Sequence, residues 1–359
     1  MAIGQSKRTK MRVAGTLSYA GRMLRSLLSG EPLLVTAKIH PTYRCNLRCT
    51  YCNLPNLNIP ELTTDQWLAV IDELADLGCR RLSITGGEPL VRQDVADFIT
   101  RARERGMSCS MVSNGVLVKR RIDDLRQLSS LTLSLDALGS ANDEVRGEGV
   151  FDAVREAISA AKGVGIPVWI NAVLSSKTAP MLDELLEFID GHDLHLTVTV
   201  VRSGAPDLYH KAASVKPEDD EIRKMLVRLA DLTRTNPRLL FSEATYRHAA
   251  RWRDYSRDRY EADELPSDDP LLRNGPRCHA GRYYLTIAPD GTVYPCCNTL
   301  MRISGGKVIT DGVVGAWRNL HDHGCVACHT CCQVEHNYLF SLQPRVVSKF
   351  IVRHLRRFS

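Results

Sequence analysis

Cys45-Asn46-Leu47-Arg48-Cys49-Thr50-Tyr51-Cys52 follows closely on a short apolar run, Leu34–Ile39, and its spacing decides how the rest of the chain is read. The run has the makeup of a buried strand, so three thiols are delivered to a loop at that strand's C-terminal end. In parallel α/β folds chemistry collects at that end. Three thiolates occupy three positions of a four-iron cluster and leave one iron without a protein ligand. An open metal position suits catalysis, whereas structural sites are closed. The competing reading is a zinc knuckle, but zinc sites favour paired CxxC units with a fourth ligand close by, and the nearest imidazole, His40, lies at the end of the incoming strand.

Outward from this motif, residues 34–235 alternate short apolar runs with helical-period stretches. The strands expected are Leu34–Ile39, Arg81–Thr85, Ser108–Ser113, Leu131–Leu135, Val168–Val173 and Leu196–Val201. The clearest helix is Thr64–Leu77, with Thr63 and Gln66 spaced as a capping box, Leu68, Ile71 and Leu74 on one face, and Gly78 as the stop. Asp94–Arg105, Phe151–Val164 and Met181–Ile189 repeat the pattern. Six strand–helix units in succession read as an α/β fold with a parallel sheet, either doubly wound or an open barrel.

Thr85-Gly86-Gly87-Glu88-Pro89 ends the second strand. Two glycines permit close backbone approach to a ligand, and Glu88 offers a carboxylate to an ammonium group. Alone this is a turn; one helix after a CxxxCxxC strand it carries more. The aromatic before the last cysteine, Tyr51, completes a pattern that resembles the radical S-adenosylmethionine (radical SAM) superfamily across residues 34–235. That resemblance implies a partial (β/α)6 TIM-like barrel in which Cys45, Cys49 and Cys52 hold a catalytic four-iron cluster. Gly86, Gly87 and Glu88 would then hold the methionyl amine of SAM. It also implies that Ser113 and Asn114 line the nucleoside, that Ser134 and Asp136 lie near SAM or substrate, and that Arg146 pairs with the SAM carboxylate, a bidentate task suited to arginine. Asn171 and Tyr51 join this cofactor-binding set, although caps, turns and a solvated loop arginine are the bland alternatives.

Seven of the twelve cysteines lie beyond residue 277. Tyr284–Tyr294 reads as a β-hairpin across Pro289-Asp290-Gly291, which brings Cys278 and Cys296 together. Cys325 and Cys328 then make four thiols. The leading element resembles the SPASM/Twitch auxiliary-cluster domain and implies one fully ligated auxiliary four-iron cluster on Cys278, Cys296, Cys325 and Cys328. Cys331 is a substitute ligand, and a second cluster would draw on Cys297, Cys331 and Cys332. Cys79 and Cys109, at strand entries, read as buried structural thiols.

At 44% apolar and 25% charged residues, disorder is excluded, and no apolar run is long enough to span a membrane. The net charge of +6 comes from the ends, so no nucleic-acid partner is expected. No cleavable signal is evident, which places the clustered thiols in a reducing cytoplasm. The chain divides into a basic amphipathic segment at 1–33, the core at 34–235, a linker or lid at 236–277, a Cys-rich domain at 278–340 and a basic amphipathic helix at 341–359. Basic amphipathic ends suit peripheral contact with the cytoplasmic membrane face, or docking on the core with charges solvated.

The expected activity is that of an iron–sulfur oxidoreductase. It cleaves SAM reductively to a 5′-deoxyadenosyl radical that takes hydrogen from an unactivated carbon of a small-molecule or lipid-like substrate. An auxiliary cluster transfers electrons for dehydrogenation or oxidative bond formation, and flavodoxin or ferredoxin acts as low-potential donor. The alternatives are a radical SAM peptide maturase, disfavoured by the short segment before the core, and a non-enzymatic iron–sulfur or zinc protein.

Overall fold

β-branched runs separated by amphipathic periods give six parallel strands: β1 (Thr36–Ile39), β2 (Arg81–Ile84), β3 (Ser108–Ser113), β4 (Ser130–Ser134), β5 (Val168–Leu174) and β6 (His195–Val200). The computed structural model describes residues 21–26, 28–203, 208 and 210–355. Each strand pairs in parallel with the next in sequence. A doubly wound sheet would reverse its strand order at a switch point; an unbroken order from β1 to β6 is that of a partial barrel.

The crossovers are α1 (Thr64–Asp76), α2 (Val95–Glu104), α3 (Gly139–Arg146), α4 (Val150–Gly163) and α5 (Leu182–Gly191), followed after β6 by α6 (Asp219–Leu232). Thr63 and Gln66 cap α1 reciprocally, and the chain leaves it through Gly78 at φ +94°, a left-handed value that favours glycine. Its inner face is Trp67, Val70, Ile71 and Leu74, with Leu68 only half-buried. Ile71 and Leu74 of the expected stripe are buried, and only Leu68 gives way, the larger indole of Trp67 taking the core position beside it.

The Cys-rich segment is not a separate unit. β8 (Tyr284–Ile287) pairs in parallel with β1, Thr36 opposite Tyr284 and Ile39 opposite Ile287, and the hairpin to β9 (Thr292–Tyr294) continues to β10 (Gly306–Lys307). The result is one nine-stranded sheet ordered β10-β9-β8-β1-β2-β3-β4-β5-β6, with β10 and β6 as its edges. Strand β1 therefore lies between the core and the Cys-rich half. α9 (Val308–Arg318) packs on α1, its Val313 N–H donating to Glu73 at 2.9 Å.

Residues 236–277, read as linker or lid, are folded instead. They carry α7 (Glu243–Ala250), β7 (Arg259–Glu261) and α8 (Pro270–Arg273), and β7 pairs antiparallel with β11 (Cys325–Cys328). Tyr246, Trp252 and Tyr255 are buried. Trp252 packs against Tyr260 and His329, Tyr255 against His329 and Tyr246 against Phe241, while α7 itself packs on α10 (Cys331–Phe340). α11 (Pro344–Leu355) follows, with Val346 buried and Phe350 exposed. Most of the basic segment at 1–33 and residues 356–359 of the basic C-terminal helix lie outside the described residues. Among the described residues no helix is long and apolar enough to cross a membrane.

Candidate functional site

The loop after β1 is interlocked with the end of β2. Gly87 N–H donates to Thr42 O and Glu88 N–H to Arg44 O, each at 2.9 Å. A Cβ on Gly86 would meet Thr42 O at 2.3 Å, and one on Gly87 would meet Arg44 O at 2.2 Å. Both glycines are thus required by the approach of the cysteine loop's own backbone. On its other side the loop is tied to α3: Thr50 N–H donates to Val145 O at 2.9 Å, and the Cys49 thiol faces Arg146 O.

Cys45, Cys49 and Cys52 are half-buried, and Cys52 lies in the field of the other two. Burial pushes the Cys52 thiol up to about 11, and it raises Cys45 and Cys49 as well. Bare thiols here keep their protons at neutral pH, so a metal must displace them. Three converging thiols on a glycine-pinned loop fit a cluster with one iron left open.

Glu88 is fully buried. Its carboxylate accepts from Asn114 N–H at 2.7 Å, Ser113 Oγ at 2.9 Å and Leu90 N–H at 3.2 Å. Burial lifts it to about 7 despite these three donors, so a cation beside it would be favoured. Such a site fits an ammonium group. Ser113 and Asn114, expected along the nucleoside, hold Glu88 instead, and Asn114 Nδ2 also reaches Asn46 Oδ1 at 2.8 Å. Two nearby nitrogens wait for a partner: both ring nitrogens of buried His40 lack one, and burial with the nearby Lys38 charge holds this imidazole down to about 3.

Asp136 is the hub of the opposite wall. Its Oδ2 accepts from Tyr51 OH at 2.9 Å, and its Oδ1 accepts from Arg146 Nη2 and from Val173 N–H, each at 2.8 Å. Arg146 Nε lies 2.8 Å from Oδ2, and both charged groups are buried. Arg146 thus donates through Nη2 to Asp136, which holds the guanidinium more firmly charged, its Nε makes no hydrogen bond among the described residues, and it lies over the Tyr51 ring. Ser134 and Asn171 sit opposite each other on β4 and β5, half-buried, with Asn171 Oδ1 accepting from Thr197 Oγ1 at 3.0 Å.

In the Cys-rich half, the Tyr284 hydroxyl lies in the field of four thiols: Cys278, Cys296, Cys328 and Cys325. Cys325 donates to Cys278, whose thiol is held well below its ordinary value by that bond and by His323. These four are the expected auxiliary set. Cys331 is not among them; it is buried beside Glu335, Tyr246 and Tyr255, because the first turn of α10 points it at α7 rather than at the hairpin. Cys297 and Cys332 meet each other, with Gln333 Nε2 3.0 Å from Cys297 Sγ. Burial disfavours the charge on nearby Lys38, but the Cys297, Cys332 and Cys296 thiols outweigh it. Sequence reasoning passed over Lys38, although a lone cation within an apolar strand was a usable signal. Arg202, 2.7 Å from Asp258, carried no such signal. Cys79 and Cys109 are buried as expected.

Residues 39–189 match the family model of the radical SAM superfamily, and residues 278–332 match that of the SPASM iron–sulfur cluster-binding domain. The chain carries a radical SAM domain followed by a SPASM domain. This radical SAM enzyme therefore uses SAM together with iron–sulfur clusters. Its fold is similar to that of Streptococcus suis SuiB bound to S-adenosylmethionine (20% identity, 84% of this chain and 68% of that one, TM-score 0.59). It is also similar to anSMEcpe with bound AdoMet (15% identity, 88% and 98%, TM-score 0.61). Further matches are SuiB bound to the precursor peptide SuiA (20%, 84% and 69%, TM-score 0.60) and anSMEcpe with bound AdoMet and Cp18Cys peptide (15%, 89% and 99%, TM-score 0.60).

Proposed function

We propose that this radical SAM enzyme oxidatively modifies a peptide. The observation that carries the reading is the character of the half-buried face of the sheet. Where alternate residues are fully buried against the helices, most of their neighbours are polar, among them Lys38, Ser83, Thr132, Ser134, Asn171, Thr197 and Thr199, with Trp169 and Val173 as apolar members of the same face. A hydrocarbon chain laid on that face would strip water from hydroxyls, an amide and an ammonium without replacing their hydrogen bonds. A peptide backbone supplies donors and acceptors in the same density. The short segment before the core is no obstacle, since anSMEcpe, matched over 98% of its length, also occurs with a peptide bound.

In this reading Cys45, Cys49 and Cys52 carry the SAM-binding cluster, Glu88 takes the methionyl ammonium, and Cys278, Cys296, Cys325 and Cys328 carry the auxiliary cluster. The bound cluster and SAM supply the carbon-centred radical that removes hydrogen from substrate. The protein's part is positional: Ser113 and Asn114 aim Glu88, and Tyr51, Asp136 and Arg146 fix the wall beside Cys49. Anaerobic incubation with SAM, dithionite and a peptide library should give 5′-deoxyadenosine and peptides lighter by two hydrogens, read by mass spectrometry. Modification of a lipid extract and of no peptide would refute the reading. Cys49→Ala should abolish 5′-deoxyadenosine, whereas Cys296→Ala should retain it and lose product.

A further inference from the structure

The auxiliary half carries an arginine-lined groove that the proposed chemistry does not use. It encloses about 790 Å³ between α7, the loop after α8 and the start of α11. Arg251, Arg273, Arg277 and Arg345 line it, all exposed, and none has a carboxylate partner among the described residues. By contrast, the groove's one acidic side chain, Glu243, is already paired with Arg234 and Arg247. Elsewhere, exposed arginines such as Arg126, Arg155 and Arg228 have an aspartate in reach, and those without one among the described residues, such as Arg103, Arg120 and Arg302, lie outside this groove, so it is the clustering of four that sets the groove apart. Four unneutralised guanidinium groups in one concavity repel one another, and a complementary anion relieves that repulsion.

The groove does not end blindly. Gly275, Pro276 and Arg277 are shared with a second opening of about 530 Å³, lined by Cys278, Cys325, His323 and Arg282. Of the four thiols around Tyr284, Cys278 and Cys325 are the two that are only half-buried; Cys296 and Cys328 are buried. The basic groove therefore leads to the side on which the auxiliary thiols approach solvent.

We infer that this groove is the docking surface for an acidic one-electron redox protein, seated so that its own centre stands over the Cys278–Cys325 edge. One electron then passes between the two centres, one being oxidised as the other is reduced. Charge complementarity selects an acidic partner and speeds its encounter. A membrane is the rival anionic surface, but the unpaired arginines line a concavity, whereas an interfacial helix presents its cations beside a protruding apolar face. Nor would a membrane explain the opening onto the thiols. The inference rests on the auxiliary-cluster reading for its purpose, though the docking itself can be tested apart from it.

The test uses reconstituted full-length protein and a fluorophore-labelled flavodoxin as probe, with affinity and on-rate followed at low and high salt. The wild type should bind, with an on-rate that falls steeply with salt. The triple variant Arg251→Glu/Arg273→Glu/Arg345→Glu should bind at least about tenfold more weakly, chiefly through a slower on-rate. Its iron content and thermal midpoint should be unchanged. Arg273→Gln/Arg345→Gln removes only exposed, unpaired charges and should move in the same direction should the triple variant misfold. Reversal of Arg103 and Arg126, outside the groove, should leave binding as it was. Wild-type affinity in the groove variants would overturn the inference. So would binding to phosphatidylglycerol-containing vesicles that depends on these arginines while flavodoxin binding does not. Arginine-dependent flavodoxin binding by a protein whose iron content shows no auxiliary cluster would retain the docking surface and refute the cluster reading alone.

Discussion

In Asp136→Asn, asparagine keeps an oxygen for Val173 N–H, 2.8 Å away in the native enzyme, and turns its amide NH2 to the Tyr51 hydroxyl, 2.9 Å away, whose oxygen must then accept instead of donate; it also leaves the Arg146 guanidinium without a counter-ion. Asp136 is 1% exposed and Arg146 5%, so water cannot replace the lost partner. Breaking a pair buried this deeply costs about 3–5 kcal/mol. At an unfolding entropy of about 2.1 cal/mol/K per residue, the 359-residue chain should melt about 4–7 °C lower. Arg146→Met alone should cost a similar amount, because it strands the aspartate. The double variant should recover at least about 2 kcal/mol of the summed loss, since neither charge remains buried. The assay is calorimetry on anaerobic protein of matched iron content, with SAM affinity measured alongside. If Arg146→Met melts like the wild type while SAM binding falls about a hundredfold, the arginine serves the ligand's carboxylate and the ion-pair argument fails.

Glu88 gives a pH signature. Its carboxyl is lifted to about 7 in the folded protein, so between its unfolded value near 4.5 and pH 7 the native state binds the proton more tightly. Without SAM, stability should fall as pH rises through that window and level off above it, and Glu88→Gln should flatten the curve and melt higher at pH 8. SAM should stabilise the wild type more at pH 8 than at pH 6; equal stabilisation, or a flat wild-type curve, would contradict the assignment. Gly87→Ala tests the loop interlock. Its Cβ meets two backbone carbonyls, Arg44 O at 2.2 Å and Tyr43 O at 2.5 Å, neither of which can rotate away. A loss of about 2–4 kcal/mol with iron missing from the first cluster is expected, and full iron content with an unchanged midpoint would show that the loop tolerates separation.

The strands of the core were legible because β-branched runs and capping signals lie in local sequence: Thr63 and Gln66 announced α1, and the six runs fell within about two residues of the observed strands. The cysteine spacing was legible for the same reason. Partnerships across the sheet were not. Nothing local says that Arg146 closes on Asp136 ten residues away, or that Ser113 and Asn114 turn towards Glu88 from the next strand. Residues 236–277 failed for a different reason. Trp252 and Tyr255 pack against His329, α7 packs on α10 and β7 pairs with β11, partners that come 60 to 90 residues later, so neither helical nor strand period had to be clean.

The placement of β1 explains why the two cysteine groups belong to one machine. One neighbour of β1 is β2, whose end carries Gly87 and Glu88; the other is β8, whose hairpin leads to Cys296. The cysteine loop leaves from the end of β1 itself. Backbone hydrogen bonds in fixed register therefore set the separation between the SAM-proximal thiols and the auxiliary thiols, and no hinge intervenes. Lys38, in the middle of that strand, lies in the field of Cys297, Cys332 and Cys296. A fixed cation there favours negative charge on those thiols. A slip of β8 by one residue against β1 would carry Cys296 with it and turn the alternate side chains of β8 to the other face. The register of this central pairing is for that reason a functional element of the enzyme as well as a structural one.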